Sequence, residues 1–276
     1  MITTLPRLHA VTDDRVVGAG GVVERVSAMA AAAGSALAVH VRTRLLDGRS
    51  LFDLARRLGE VSAAHGSWLV VNDRADVARA AHAQAVVSGR GGLAVRDVRR
   101  VAPGLAVGRS VHDTAEARAA EAEGADFLVA GPVFATASHP GAAPAGPALL
   151  AAAGSGGRQV IAIGGMTPSN AGTAVAAGAW GVAAIRALWD AADPAGAARA
   201  FLAVLPAAAT IALLVNGESR AVAAGTTLGG LLDELGLDPR AVVVEHNLRI
   251  VRRDALAATR LAEGDAVELV HFVGGG

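Results

Sequence analysis

The side chains able to do chemistry in this chain are few in kind. It has 8 histidines, no cysteine and, among its 25 basic residues, no lysine. Disulfides, thiolate metal sites, cysteine nucleophiles, Schiff-base chemistry and a phosphate-loop lysine are therefore excluded together. What remains is imidazole, carboxylate, guanidinium, amide and backbone. His40, His112 and His139 lie in or just beyond short apolar runs, and an imidazole near its ordinary pKa can take up and return a proton at neutral pH. Arg42 offers a bidentate contact to a carboxylate, and Asn72 and Ser110 could orient a ligand. Gly164-Gly165, followed by Met166-Thr167-Pro168, has the form of a phosphate cradle: a tight turn presenting backbone N–H groups ahead of a helix start. Ala184 and Ile185, at the end of the next apolar run, would lie beside it. At the other end of the chain, Gly274, Gly275 and Gly276 add nothing to a core, but a thin tail with a free carboxylate can thread into another enzyme's active site.

These groups need a scaffold. With 276 residues, 53% hydrophobic and 34 of them glycine, the chain is long enough for one large or two small globular domains. Its 25 basic and 25 acidic side chains are interspersed and sum to no net charge, which argues against nucleic-acid and membrane partners. No uninterrupted apolar run of about 18 residues appears, and Met1 to Leu8 lacks a charged segment followed by an apolar one, so a cytoplasmic protein is expected.

Eight apolar runs alternate with helix-length segments: Leu8–Thr12, Leu37–Arg42, Trp68–Asn72, Ala85–Ser88, Leu105–Ser110, Asp126–Val133, Gln159–Gly164 and Trp180–Arg186. That rhythm over residues 1–205 predicts a (β/α)8 TIM barrel, with chemistry at the carboxyl ends of its strands. A doubly wound sheet competes, but the clusters Gly18–Gly21 and Gly154–Gly157 lack the spacing of a dinucleotide fingerprint. A linker is expected over 206–210 and a second domain over 211–276. There Ile211–Val215 and Ser219–Val222 flank the hairpin signal Asn216-Gly217, and Thr226 or Thr227 caps a helix bearing Leu228, Leu231, Leu232 and Leu235 on one face. Gly236 ends that helix. Val242–Glu245, a short strand near Ile250 and Val267–Val273 complete a small mixed domain of ββαβ…β order.

The second domain, through VNGESR (Val215–Arg220), LLDELGLDP (Leu231–Pro239) and VELVHFVGGG (Val267–Gly276), resembles the ThiS family of ubiquitin-like sulfur carriers, which have the β-grasp fold. The resemblance implies that Gly276, with Gly275 before it, is adenylated by a partner enzyme and converted to a thiocarboxylate that gives sulfur to a thiazole synthase. The first domain resembles the thiamine-phosphate synthase and TenI family. The resemblance rests on HAVTDD (His9–Asp14), VHVR (Val39–Arg42), VNDRADVA (Val71–Ala78), SVHD (Ser110–Asp113), GADFLVAGPVFATASHPG (Gly124–Gly141), IAIGGMTPSN (Ile161–Asn170) and AGAWGVAAI (Ala177–Ile185).

Synthases of this family join a pyrimidine diphosphate to thiazole phosphate with magnesium held by two acids. Asp73 matches the first acid, whereas Gly92 stands at the second, in Gly89-Arg90-Gly91-Gly92 where synthases carry Gly-Gln-Glu-Asp. His139 replaces the basic residue of the sixth loop, and His40 replaces a glutamine. These departures point to the family's other activity, the thiazole tautomerases, which aromatise carboxythiazole phosphate by moving one proton. The expected shuttle is His139, then His112, then His40, although His40 could equally fill the barrel and His112 cap the following helix. The family's tautomerase histidine lies earlier in the sixth loop, at Pro132 of this chain. The resemblance adds Thr136 to the substrate contacts. No cofactor or metal is expected for the tautomerase; magnesium at Asp73 belongs to the synthase alternative. A third alternative is an inert barrel that presents the carrier. Carrier and tautomerase would act just before and just after the same thiazole synthase, and one chain would raise their effective concentration there.

Overall fold

A computed structural model describes residues 5–136, 143–207, 210–223, 226–256 and 259–271. The chain divides into two compact units, Pro6–Pro206 and a second one running from Ala207 onward.

The first unit is a closed barrel of eight parallel strands, paired in chain order with β8 returning to β1. The strands are β1 (Leu8–Val11), β2 (Leu37–Val41), β3 (Trp68–Asn72), β4 (Ala85–Ser88), β5 (Ala106–Val111), β6 (Phe127–Ala130), β7 (Gln159–Ile163) and β8 (Gly181–Ala184). They are near-continuous apolar runs because both faces are covered, one by the barrel interior and one by helices. The helices are α1 (Asp14–Ala19), α2 (Val22–Ala33), α3 (Gly48–Ala63), α4 (Ala75–Ala80), α5 (Val95–Val101), α6 (Thr114–Ala122), α7 (Ala148–Gly154), α8 (Pro168–Ala176), α9 (Arg186–Trp189) and α10 (Pro194–Leu202). Aspartates start four of them: Asp13, Asp47, Asp113 and Asp193 each accept the backbone N–H three residues on. An acidic cap of this kind is worth about 1 kcal/mol and ends each loop at a defined residue.

Two strands fall short of their apolar runs by three or more residues. β6 stops at Ala130 rather than Val133, because Pro132 has no N–H for a ladder and a Cβ on Gly131 would sit 2.2 Å from the Ile163 carbonyl oxygen. β8 spans Gly181–Ala184 rather than Trp180–Arg186, since Ile185 turns away at φ −108°, ψ −84° to open α9.

The second unit carries a five-stranded sheet in the order β10-β9-β13-β11-β12. Its strands are β9 (Thr210–Val215), β10 (Glu218–Ala223), β11 (Val242–His246), β12 (Arg249–Val251) and β13 (Ala266–His271), and its helix is α11 (Leu228–Glu234). β9 begins at Thr210, inside the expected linker. Asn216 and Gly217 both take positive φ, 50° and 79°, which is the backbone a two-residue hairpin turn requires. Thr227, not Thr226, caps α11 by accepting the Gly230 N–H at 3.1 Å. Leu228, Leu231 and Leu232 pack on Leu213, Val222, Val242, Val244, Val267 and Leu269, so one face of the sheet and one face of the helix form the core. With β13 parallel to β9 and the other pairings antiparallel, this is the β-grasp arrangement.

Candidate active site at the carboxyl ends of the barrel strands

β1, β2 and β3 build a buried polar chain. His9 Nε2 lies 3.0 Å from the Pro6 carbonyl oxygen, His9 Nδ1 lies 2.7 Å from His40 Nε2, and His40 Nδ1 faces the Asn72 carboxamide at 3.3 Å. His9 and His40 are 0% and 1% exposed. Burial pushes His9 down to about 4 against the Pro6 bond, and burial together with its histidine neighbour holds His40 well below the usual range, so both rings are neutral near pH 7. Both nitrogens of His40 are thus engaged by protein, and it reaches a ligand through Asn72. Beside this chain, Thr12 Oγ1 takes the Arg42 N–H at 2.9 Å and donates to the Arg42 carbonyl at 3.0 Å. That bridge fixes the backbone of Arg42 and leaves its exposed guanidinium without a hydrogen-bond partner among the described residues, with the Asp14 carboxylate close enough to feel its charge.

β3 and β4 hold the one matched acid. Asp73 takes the left-handed conformation, φ 60°, and its Oδ1 accepts the Gly89 N–H at 2.7 Å. A Cβ on Gly92 would lie 2.4 Å from Ser88 Oγ and 2.7 Å from Asp73 Oδ1, so the place of a second acid is filled by side chains already present. Arg109 of β5 donates to the carbonyls of Gly89 and Leu93 at 3.1 and 3.2 Å, setting a guanidinium against the same loop. Among the described residues no group of three or more His, Cys, Asp or Glu side chains is placed to hold a metal. A hard divalent ion needs several oxygen ligands, and one carboxylate shared with a backbone N–H beside a guanidinium does not fit a magnesium held by two acids.

β5 supplies an imidazole of a different kind. His112 Nδ1 donates to Glu116 Oε2 at 2.9 Å, and Glu116 also takes the His112 N–H and a bond from Arg90. Burial would raise the Glu116 carboxyl, but the bonds from His112 and Arg90 outweigh it and hold the carboxyl below its usual range. The ionised carboxylate fixes the tautomer and leaves Nε2 as a lone pair on a half-exposed ring, the arrangement of an oriented general base. The helix cap is Asp113, so His112 is free of that role. Ser110, two residues before it, is half-buried and has no side-chain partner among the described residues.

The loops after β6 and β7 are strapped together. Val133 N–H bonds to the Ile163 carbonyl and Phe134 N–H to the Gly164 carbonyl, at 2.9 and 3.1 Å. Gly164 and Gly165 have φ 99° and 63°, and a Cβ would come within 2.6 Å of Pro132 Cα and 2.4 Å of the Ala135 oxygen. Glycine is therefore demanded twice, by backbone sign and by space. Asn170 closes the turn, accepting the Thr167 N–H at 2.9 Å and donating to the Gly165 carbonyl at 2.9 Å, which sets the start of α8 against it. Ala184 ends β8 and Ile185 precedes the one-turn α9. Thr136 is half-buried at the end of the described sixth loop, while His139 lies outside the described residues, as do Phe272, Gly275 and Gly276.

The structure thus gathers Arg42, Asn72, Asp73, Ser110, His112 and the Gly164-Gly165 turn at one end of the barrel. The opposite end is a contrast: an open hollow of about 310 Å3 there is lined by Arg7, Arg158 and Trp180, with Arg7 stacked 3.7 Å over the Trp180 ring. The sequence pattern assigns no role in the site to His9, Thr12, Arg109 or Glu116. A histidine inside an otherwise apolar β1 was the available signal for His9, and a glutamate four residues after His112 the signal for Glu116.

Residues 8–188 match the family described as thiamine monophosphate synthase, and residues 213–276 match the ThiS family. The thiamine-phosphate synthase of Methanoculleus marisnigri is 38% identical over 195 residues, covering 70% of this chain and 92% of that protein. The bifunctional protein ThiM/ThiE of Symbiobacterium thermophilum is 40% identical over 167 residues, 59% of this chain and 35% of that protein. Among solved structures, thiamine phosphate pyrophosphorylase from Pyrococcus furiosus superposes with a TM-score of 0.64 at 29% identity, covering 72% of this chain and 94% of that one. A matched stretch of this length, together with a relative aligned along nearly its whole length, establishes that the chain belongs to the thiamine monophosphate synthase family and carries a ThiS-family domain after its barrel.

Proposed function

We propose that the barrel works on thiazole phosphate in thiamine biosynthesis by the reaction for which its relatives are named: a pyrimidine diphosphate is joined to thiazole phosphate and the diphosphate leaves. The observation that carries this reading is the 38% identity to a thiamine-phosphate synthase along 92% of that protein's length. In it the Gly164-Gly165 turn and the start of α8 hold the thiazole phosphate, Ser110 and Asn72 orient the rings, and Thr136 stands at the sixth loop. Negative charge on the departing diphosphate meets the guanidinium of Arg42, since the residues at Asp73 and Gly92 do not fit a two-acid metal site.

One observation favours a second reading, thiazole tautomerase. Gly92 leaves the diphosphate chemistry short of an acid, while His112 held by Glu116 is equipped to move a proton. His139 is the other candidate shuttle. In either reading the second domain carries sulfur as a thiocarboxylate on Gly276, loaded by an adenylating enzyme and delivered to a thiazole synthase. No helix among the described residues is long and apolar enough to cross a membrane, which supports a cytoplasmic site for this pathway.

The test offers the full chain pyrimidine diphosphate with thiazole phosphate and, separately, the carboxythiazole phosphate tautomer, with products identified by mass. Thiamine phosphate is the expected product. Aromatised thiazole with no thiamine phosphate overturns the synthase reading in favour of the tautomerase, and neither product in both assays leaves the barrel a scaffold for the carrier.

A further inference from the structure

The chain from Pro6 to Asn72 contains three contacts of hydrogen-bond length and four ring nitrogens. The Pro6 carbonyl only accepts, so His9 Nε2 carries a proton. His9 Nδ1 is then the lone-pair side of a neutral ring, and the proton between the histidines belongs to His40 Nε2. That leaves His40 Nδ1 bare and facing the Asn72 carboxamide. As placed, the carboxamide oxygen Oδ1 faces it at 3.3 Å, so two acceptors would meet. Three protons on the two rings would relieve that clash, but at the cost of an imidazolium 0–1% exposed with no carboxylate paired to it among the described residues. Turning the carboxamide over satisfies every group with no charge, and the amide's oxygen and nitrogen are interchangeable in shape.

We infer that the His9–His40 pair is a positioning device that holds the Asn72 amide N–H against His40 Nδ1 and thereby presents the Asn72 oxygen, at the carboxyl end of β3, as a hydrogen-bond acceptor for the ligand. The other end of the carboxamide has no protein partner among the described residues and is half-buried, as a ligand-facing group must be. The site thus selects a ligand with an N–H or O–H donor at that place, and a second acceptor there is rejected because the relay cannot reverse without breaking the bond to Pro6. His9 never touches the ligand; it acts through two residues. The identity of the ligand rests on the synthase reading above, in which the amino group of the pyrimidine diphosphate is the N–H donor, whereas the orientation of Asn72 does not.

The test uses the full chain with 15N-labelled histidine, the resonances of His9 and His40 being identified from His9→Asn and His40→Gln. Long-range 1H–15N correlation at neutral pH should show both rings protonated at Nε2 and bare at Nδ1. A proton on His40 Nδ1, or an imidazolium in either ring, overturns the inference. A second arm measures affinity for the aminopyrimidine diphosphate and for inorganic diphosphate. His9→Leu frees His40 Nε2–H, so aminopyrimidine diphosphate binding should fall about tenfold while inorganic diphosphate binding is unchanged. His9→Asn, whose Oδ1 replaces Nδ1, should restore it. Equal affinity in His9→Leu and wild type, or equal loss for both ligands, overturns the positioning role. Failure of the wild type to bind the aminopyrimidine diphosphate counts against the substrate reading alone, because the tautomers still decide the orientation.

Discussion

The two halves of this chain place their chemistry in opposite ways. The barrel turns inward: His9, His40, Thr12 and Ser88 are buried polar groups, each bonded to protein, and the ligand-facing residues stand on strands that pack on both faces. The second unit turns outward. Leu214, Leu248, Ile250 and Val270 are 45%, 90%, 72% and 61% exposed, and its reactive group is expected at the terminal glycine. A barrel can pre-organise a small ligand because its interior is over-determined by packing. A five-stranded sheet with one helix spends its interior on one small core, which fits the proposed role of carrying a group to a site built elsewhere.

The largest break of that comparison is deletion of Gly275 and Gly276. It should abolish thiocarboxylate formation, read by mass spectrometry after incubation with an adenylating partner and sulfur donor, and leave barrel turnover at the wild-type rate. A barrel rate that falls with it would mean that the two halves share one site.

Gly164→Ala comes next. A Cβ 2.6 Å from Pro132 Cα at φ 99° should cost about 2–4 kcal/mol in urea unfolding and weaken thiazole phosphate binding by tenfold or more. Wild-type stability would show that the two loops are not strapped together.

Acid should separate the halves. His9 falls to about 4 in the folded barrel from 6.5 in the unfolded chain, so the unfolded state gains the proton first. Stability from the neutral ring is complete above pH 6.5 and declines as pH falls toward 4, by about 3 kcal/mol, with His40 adding to it in the same direction. Near Asp265 in the second unit, burial would raise the carboxyl, but bonds from Asn247, Ala262 and His246 hold it lower, so that contribution persists until pH drops below the usual carboxylate range. Trp68, Trp180 and Trp189 all lie in the barrel, so tryptophan fluorescence follows that half alone. A midpoint in urea independent of pH between 6.5 and 4 would sink the argument.

The smallest effect expected is Gly92→Asp, about 1–3 kcal/mol of lost stability from crowding Ser88 Oγ and Asp73 Oδ1. Full stability together with new magnesium binding by calorimetry would show that the loop opens readily and would favour the synthase.

Much of this was legible in the residues. The eight strands, the Asn216-Gly217 hairpin, the α11 leucine face and the absence of an acid at Gly92 follow from local pattern, because strand burial, turn backbone and residue identity are properties of short windows. Strand ends were less legible: β6 stops early because Gly131 lies against Ile163 of the adjacent strand, and β8 because Ile185 turns to open α9. His9 was the larger omission, since it gains meaning only from a ring 31 residues away.

By itself the sequence determined which reactions are closed to this protein, since no fold restores a missing thiol or lysine amine, and it determined the alternation that makes a barrel. Only the tertiary structure decided what each remaining group is. The same imidazole is a fixed, neutral, buried relay at His40 and an oriented base at His112, because burial and a carboxylate partner are set by residues far apart in the chain.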